Sequence, residues 1–156
     1  MMQNDIHKHV LILSDEFKVR ADIVLSIIEV ESSNNKDAIR FEPKLYERLL
    51  KMKKINGHVP NPPTYTTELI SRATSWGLMQ ILGESARTLL NYKSRYLSSL
   101  LDIEINIANG CKLLYKYLEM SDFNYDEALL LYNGGADKTY PCKINEIANK
   151  KGLQYE

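Results

Sequence analysis

The residue with the most chemical potential in this sequence is a glutamate on the apolar side of a helix. Val24, Ile27, Ile28 and Glu31 follow i, i+3/i+4, i+7 spacing, so Glu31 falls on the apolar stripe and not on the wet face. Glu29, two residues earlier, turns towards the opposite side. A carboxylate on the stripe loses hydration, and at the end of its helix it meets the negative end of the macrodipole. Both effects raise its pKa. A carboxyl group that keeps its proton near neutral pH is what general-acid catalysis requires. Periodicity alone leaves a second reading open, in which the helix frays and Glu31 swings into water.

The elements that must position this residue are helical almost throughout. Apolar periodicity predicts helices over residues 19–31 and 42–54, the first ended by Ser32-Ser33-Asn34-Asn35, whose side chains compete for backbone hydrogen bonds. In the second, Leu45, Leu49 and Met52 point inward and Lys51, Lys53 and Lys54 outward. The Pro-rich stretch 58–67 reads as an irregular loop or a small β-hairpin, with Thr64-Tyr65-Thr66-Thr67 as its strand material. Residues 76–90 read as two short helices broken at Gly77 and Gly83. Ile107, Cys111, Leu114, Tyr115 and Leu118 mark a core helix, in which Gly110 implies a close backbone approach. Asn124, with Glu127 three residues on, N-caps another helix, where Ala128, Leu131 and Tyr132 share a face and Gly134-Gly135 ends the run. A polar helix over 143–151 closes the chain. The expected fold is mainly α, one domain over 1–156 with a small irregular or β-hairpin lobe.

Composition excludes several classes of function. The 156 residues carry 20 Lys+Arg and 20 Asp+Glu, a formal net charge of zero, which argues against a dedicated nucleic-acid binder. Cys111 and Cys142 are too few for a disulfide scaffold or a Cys-based zinc site, and spacing does not say whether they pair. His7 and His9 face different directions on a helix, with no acid or Cys spacing to complete a metal site, so no metal or other cofactor is expected. No apolar run approaches the ~20 residues of a membrane span, and Met1–Val10 lacks the apolar core of a secretory signal.

Four short words change the weight given to Glu31. Val30-Glu31-Ser32 is followed by Ser75-Trp76-Gly77-Leu78-Met79-Gln80-Ile81, then Asn106-Ile107-Ala108-Asn109-Gly110, then Leu131-Tyr132-Asn133-Gly134-Gly135. In order and spacing, over about residues 23–135, they resemble the soluble lytic transglycosylase domain of the goose-type lysozyme-like group. The resemblance implies a lysozyme-like fold and Glu31 as general acid and base. Ser32 would line the same subsite. Gly77, Leu78, Met79 and Gln80 would wall a glycan groove, with the Gln80 amide reaching sugar hydroxyls. Tyr132 would aim its hydroxyl at Glu31, and Asn133 would shape the adjoining turn. Leu78 and Met79 are equally readable as core, and Trp76 as sugar platform or core.

The chemistry so implied is cleavage of the β-1,4 bond between N-acetylmuramic acid and N-acetylglucosamine in peptidoglycan, closing a 1,6-anhydro ring. One carboxyl suffices there, whereas an inverting hydrolase needs a second carboxylate about 6.5–9.5 Å away. The sequence departs from the family pattern where that choice is made. Ser33-Asn34-Asn35-Lys36-Asp37 lacks the usual aromatic and Pro, and a long insertion opens with Arg40-Phe41-Glu42-Pro43, which resembles the Phe-Glu element of phage-type muramidases. Glu42 is thus a second carboxylate or groove-lining acid, with Asp37 next, or simply the acid that opens the following helix. Lys51-Met52-Lys53-Lys54 reads as a solvated face or as a hold on the anionic cell wall. The partner expected is the peptidoglycan glycan strand, met through an uncharged sugar groove, with no nucleic acid. The missing signal leads to the expectation of a phage enzyme, carried in a virion beside other virion proteins or held in the host cytoplasm until lysis, with a trimmed bacterial enzyme as the alternative. A catalytically silent glycan-binding module and a helical DNA-binding regulator are the rival readings.

Overall fold

The structure is a computed structural model that describes residues 2–151. Its helices are α1 (Met2–Glu16), α2 (Ala21–Ser32), α3 (Pro43–Lys51), α4 (Tyr65–Arg72), α5 (Gly83–Thr88), α6 (Ile103–Met120), α7 (Tyr125–Tyr132) and α8 (Tyr140–Lys151). A 3-10 turn over Leu97–Leu101 precedes α6. Three short strands, β1 (Ile39–Phe41), β2 (Thr74–Trp76) and β3 (Ile81–Leu82), form an antiparallel sheet in the order β1-β2-β3. The mainly helical class and the small β lobe agree with the expectation from sequence.

The main core gathers α1, α2, α6, α7 and α8. From α2 come Ile23, Val24, Ile27 and Ile28, all fully buried, and from α6 come Ile107, Cys111, Leu114 and Leu118. Ile6, Val10 and Leu13 bury a stripe of α1 at i, i+4, i+7. That stripe begins within residues 1–10, and α1 is a helix that the expectations from sequence do not include. Helix α2 ends where expected, but backbone geometry does the work: Ser33 (φ 51°) and Asn34 (φ 64°) are both left-handed, and Ser33 N–H closes onto Glu29 O. Asn124 caps α7 as its spacing predicts, its Oδ1 accepting from Glu127 N–H at 3.1 Å.

Three expectations for the lobe and the last helix are corrected. Thr64–Thr67 is the start of α4 and not a strand: Thr64 Oγ1 accepts from Thr67 N–H at 3.3 Å, and Leu69 buries the helix in a second, smaller core with Leu49, Ile55 and Ala73. Residues 76–90 are not two helices, because Gly77 (φ 71°) and Gln80 (φ 47°) reverse the chain between β2 and β3 before α5 begins. The last helix starts at Tyr140, three residues early, because Tyr140, Ile144 and Ala148 form a buried i, i+4, i+8 stripe. Leu131 is 38% exposed and does not share the buried face of Ala128, and Tyr115 is only half-buried. Cys111 is buried and Cys142 exposed, and both are free thiols. No helix among the described residues is long and apolar enough to cross a membrane.

An ionic cluster holds the insertion to the body. Arg72 and Arg87 are both fully buried, and both bond the buried Glu68, at 3.0 Å and 2.7 Å. Arg72 also meets Glu84 at 3.1 Å and donates to His58 O at 2.8 Å, while Arg87 donates to Tyr92 O and Ser94 O at 2.7 Å each. The guanidinium forks thereby satisfy loop carbonyls that no sheet or helix reaches. Removing Glu68 would leave two buried cations short of a counter-charge, a change worth about 3–5 kcal/mol. Glu68→Ala is therefore expected to lose stability on that scale in urea unfolding, and a loss under 1 kcal/mol would show that the cluster is not a structural anchor.

Candidate active site

Glu31 occupies the last turn of α2, where the helix emerges from the core into a cavity of about 590 Å³. Besides Glu31 the cavity is lined by Arg40, Glu42, Lys44, Leu45 and Arg48 from β1, α3 and their junction, and by Ser75, Gln80, Leu82 and Ser85 from the sheet and α5. Leu113 and Tyr117 of α6 and Leu131, Tyr132, Asn133, Gly134 and Ala136 of α7 and its following turn complete it. Sheet register explains one row of this lining. Arg40 pairs with Ser75 and Ser75 with Leu82, so Arg40 joins two residues of a later hairpin on one sheet face and one cavity.

Burial raises the Glu31 carboxyl above its ordinary range, and two smaller influences pull the other way: a hydrogen bond from Tyr140 and the charge of Arg40. The Tyr140 hydroxyl donates to Glu31 Oε1 at 2.7 Å from the first turn of α8. Tyr140 is itself buried, so the pair is fixed by packing on both sides. The surrounding core and the carboxyl's charge push the Tyr140 hydroxyl upward in turn, keeping it a donor.

The tyrosine assigned from sequence does something else. Tyr132 lines the cavity near Glu31, but its hydroxyl donates to Met79 O at 2.8 Å. It braces the turn between β2 and β3. That turn is held from two helices. Asn106 on α6 accepts from Met79 N–H at 2.9 Å through Oδ1, and its Nδ2 donates to Trp76 O and Leu100 O at 2.8 and 2.6 Å. Gly77 is required beneath it, because its φ is left-handed and a Cβ would strike the Asn106 amide and Leu100 O. Gly110 makes room for the Met79 thioether, so the close approach expected there is a side chain and not backbone.

The wall role expected for the Gly-Leu-Met-Gln segment is corrected accordingly. Leu78 and Met79 are fully buried core residues, Gly77 is buried against Asn106, and only Gln80 reaches the cavity. Its amide nitrogen already donates to Gly77 O at 2.9 Å and Ala38 O at 3.1 Å, which fixes the side chain across the sheet instead of freeing those donors for sugar. Ser32 is not part of the cavity lining: its hydroxyl turns back to Ile28 O at 3.0 Å. Asn133 lines the cavity and its Oδ1 accepts from Asp137 N–H at 2.7 Å, fastening the turn after α7. Trp76 is half-buried against the core, with its indole N–H on Ser71 O at 3.0 Å.

Glu42 does line the cavity, and it is also the residue that opens α3 with Pro43 behind it. Its side chain makes no capping bond; it pairs with Arg40 Nε at 2.6 Å. Asp37 lies outside the lining and pairs with Lys36. The lining is charged, contrary to the uncharged groove expected from net charge. Sequence reasoning missed Arg40, Lys44, Arg48 and Tyr140. The i, i+4 spacing of Lys44 and Arg48 was visible, as was the Tyr140-Ile144-Ala148 stripe, but neither names the surface it will face. No group of three or more acidic, His or Cys side chains among the described residues is placed to hold a metal.

A helical body, a small antiparallel sheet and a half-buried glutamate at a shared cavity make up a lysozyme-like domain. The chain belongs to the transglycosylase SLT domain family, whose model matches residues 10–152. The family consists of peptidoglycan lytic transglycosylases, lyases that act on a polysaccharide. No curated protein and no solved structure matches the chain.

Two consequences follow for Glu31. The Tyr140 bond favours the charged carboxylate, so Tyr140→Phe is expected to raise the Glu31 pKa further; a ¹³C-detected carboxyl titration reads this, and a fall would contradict the bond. A carboxyl whose folded pKa lies above its unfolded value stabilises the fold below the unfolded pKa and loses that contribution as pH rises through the folded one. Glu31→Gln is thus expected to match or exceed the wild type in stability at pH 7, with the difference shrinking below the ordinary value of 4.5. Thermal melts across pH test this, and a variant clearly less stable at pH 7 would overturn it.

Proposed function

We propose that Glu31 is the general acid and then the general base of a lytic cleavage of the β-1,4 bond between N-acetylmuramic acid and N-acetylglucosamine. The observation that carries this reading is a single desolvated carboxyl at the cavity, aimed by one buried donor, Tyr140. Protonated, Glu31 gives its proton to the glycosidic oxygen, and the N-acetylglucosamine side leaves as an alcohol. The carboxylate left behind takes the proton from the muramic C6 hydroxyl, whose oxygen bonds C1 and closes the 1,6-anhydro ring. No water is consumed, and the enzyme returns to its protonated state. Tyr140 acts through Glu31 as a positioning residue. Gln80, Tyr132 and Asn133 shape the cavity around the strand.

One observation favours a second reading, hydrolysis by an inverting muramidase: Glu42 lines the same cavity and could activate water. Its pairing with Arg40 supports the lytic reading instead, since that carboxylate is engaged at the cavity wall. Action in a phage context belongs to the same proposal and rests on the resemblance of Arg40-Phe41-Glu42-Pro43 to phage-type muramidases.

Mass spectrometry of digested peptidoglycan is expected to show 1,6-anhydromuramic ends; reducing muramic acid in their place would assign hydrolysis. Glu31→Gln is expected to lower kcat by about 10²–10⁴-fold or more with the fold retained, and turnover near wild type would remove Glu31 from the acid role.

A further inference from the structure

The wall that β1 and α3 give the cavity carries more charge than neutral sugars can match. Arg40, Lys44 and Arg48 line the cavity together with two carboxyl groups, Glu31 and Glu42. Arg40 is engaged by Glu42 at 2.6 Å. Lys44 and Arg48 are one helical turn apart on α3, line the cavity together, and have no hydrogen-bond or ion-pair partner among the described residues. Acetamide and hydroxyl groups are matched by amides and hydroxyls, whereas an ammonium and a guanidinium with nothing opposite them are matched by an anion. Residues at i and i+4 lie about 5–6 Å apart at Cβ, close enough for both to reach one carboxylate.

We infer that Lys44 and Arg48 bind a carboxylate carried by the glycan strand beside the bond that is cut. Two sources share that chemistry: the lactyl carboxylate of muramic acid and a carboxylate of a peptide attached to it. The inference rests on the glycan-cleaving reading above and names which strands the cavity prefers. The selecting residues lie in the insertion, outside the words that carry the family resemblance. The helix that holds them is fixed by the second core through Leu49, so the pair is presented on a rigid element.

Three substrates test this: strands with stem peptides, strands stripped by an amidase to free the lactyl carboxylate, and strands whose carboxyl groups are converted to methylamides. The wild type is expected to show kcat/KM at least about tenfold higher on a carboxylated strand than on the methylamidated one, expressed through KM. Whichever carboxylated strand shows the ratio identifies the source. In Lys44→Gln/Arg48→Gln that ratio is expected to fall to near one, and because both side chains are exposed and unpartnered the fold should survive. A wild-type ratio near one, or a ratio that survives in the double variant, overturns the assignment. Pull-down of the same strands by the Glu31→Gln protein separates the two readings. Carboxylate-dependent retention without wild-type cleavage would keep the anion site and remove the lyase; cleavage indifferent to carboxylates would do the reverse.

Discussion

The hydrogen bond from Tyr140 to Glu31 joins residues 109 apart, and the geometry of the candidate site depends on it. A carboxyl at a helix end has free rotation unless something holds it, and a carboxyl in water is no acid at neutral pH. Helix α2 addresses the second problem by burying Ile27 and Ile28 just before Glu31 emerges. Helix α8 addresses the first, since Ile144 and Ala148 seat its apolar stripe in the core and Tyr140, buried on the same stripe, bonds the carboxyl. The two contributions act oppositely on the proton: burial raises the pKa and the tyrosine restrains the rise. The balance between them sets how firmly Glu31 holds its proton.

The short words that carry the family resemblance turn out to be mostly scaffold. Gly77, Met79, Asn106, Gly110 and Tyr132 make one knot, in which an amide side chain bridges the turn, a glycine clears room for the amide, another clears room for a thioether, and a phenol closes the remaining carbonyl. Its product is the position of Gln80 in a left-handed conformation at the cavity edge. Residues that look chosen for substrate are there because a tight reversal, packed on two helices, leaves its backbone groups no water to bond.

The insertion contributes the other half of the cavity. Its strand adds Arg40 to the sheet opposite Ser75, its helix adds Lys44, Leu45 and Arg48, and its loops hang on two buried arginines. Those arginines are fully buried because a single glutamate, Glu68, accepts from both. A neutral protein thus carries a charged cavity, since net charge sums over a surface and says nothing of where its cations gather.

The sequence by itself determined the helical class, the end of α2, the Asn124 cap and the unusual place of Glu31, because each depends on neighbours within one or two turns. It also carried the family, through words whose order survives folding. It misassigned the partner of Glu31, the strands and the groove wall. Tyr132 and Tyr140 are both tyrosines beside apolar stripes, and only the packing of α7 and α8 against the core decides which phenol meets the carboxyl. Likewise Arg40 joins the row of Ser75 and Leu82 only once strand register is set, by the pairing of β1 with β2 across 35 residues of chain. Local propensity cannot encode such pairings, and tertiary packing alone brings these groups to one cavity.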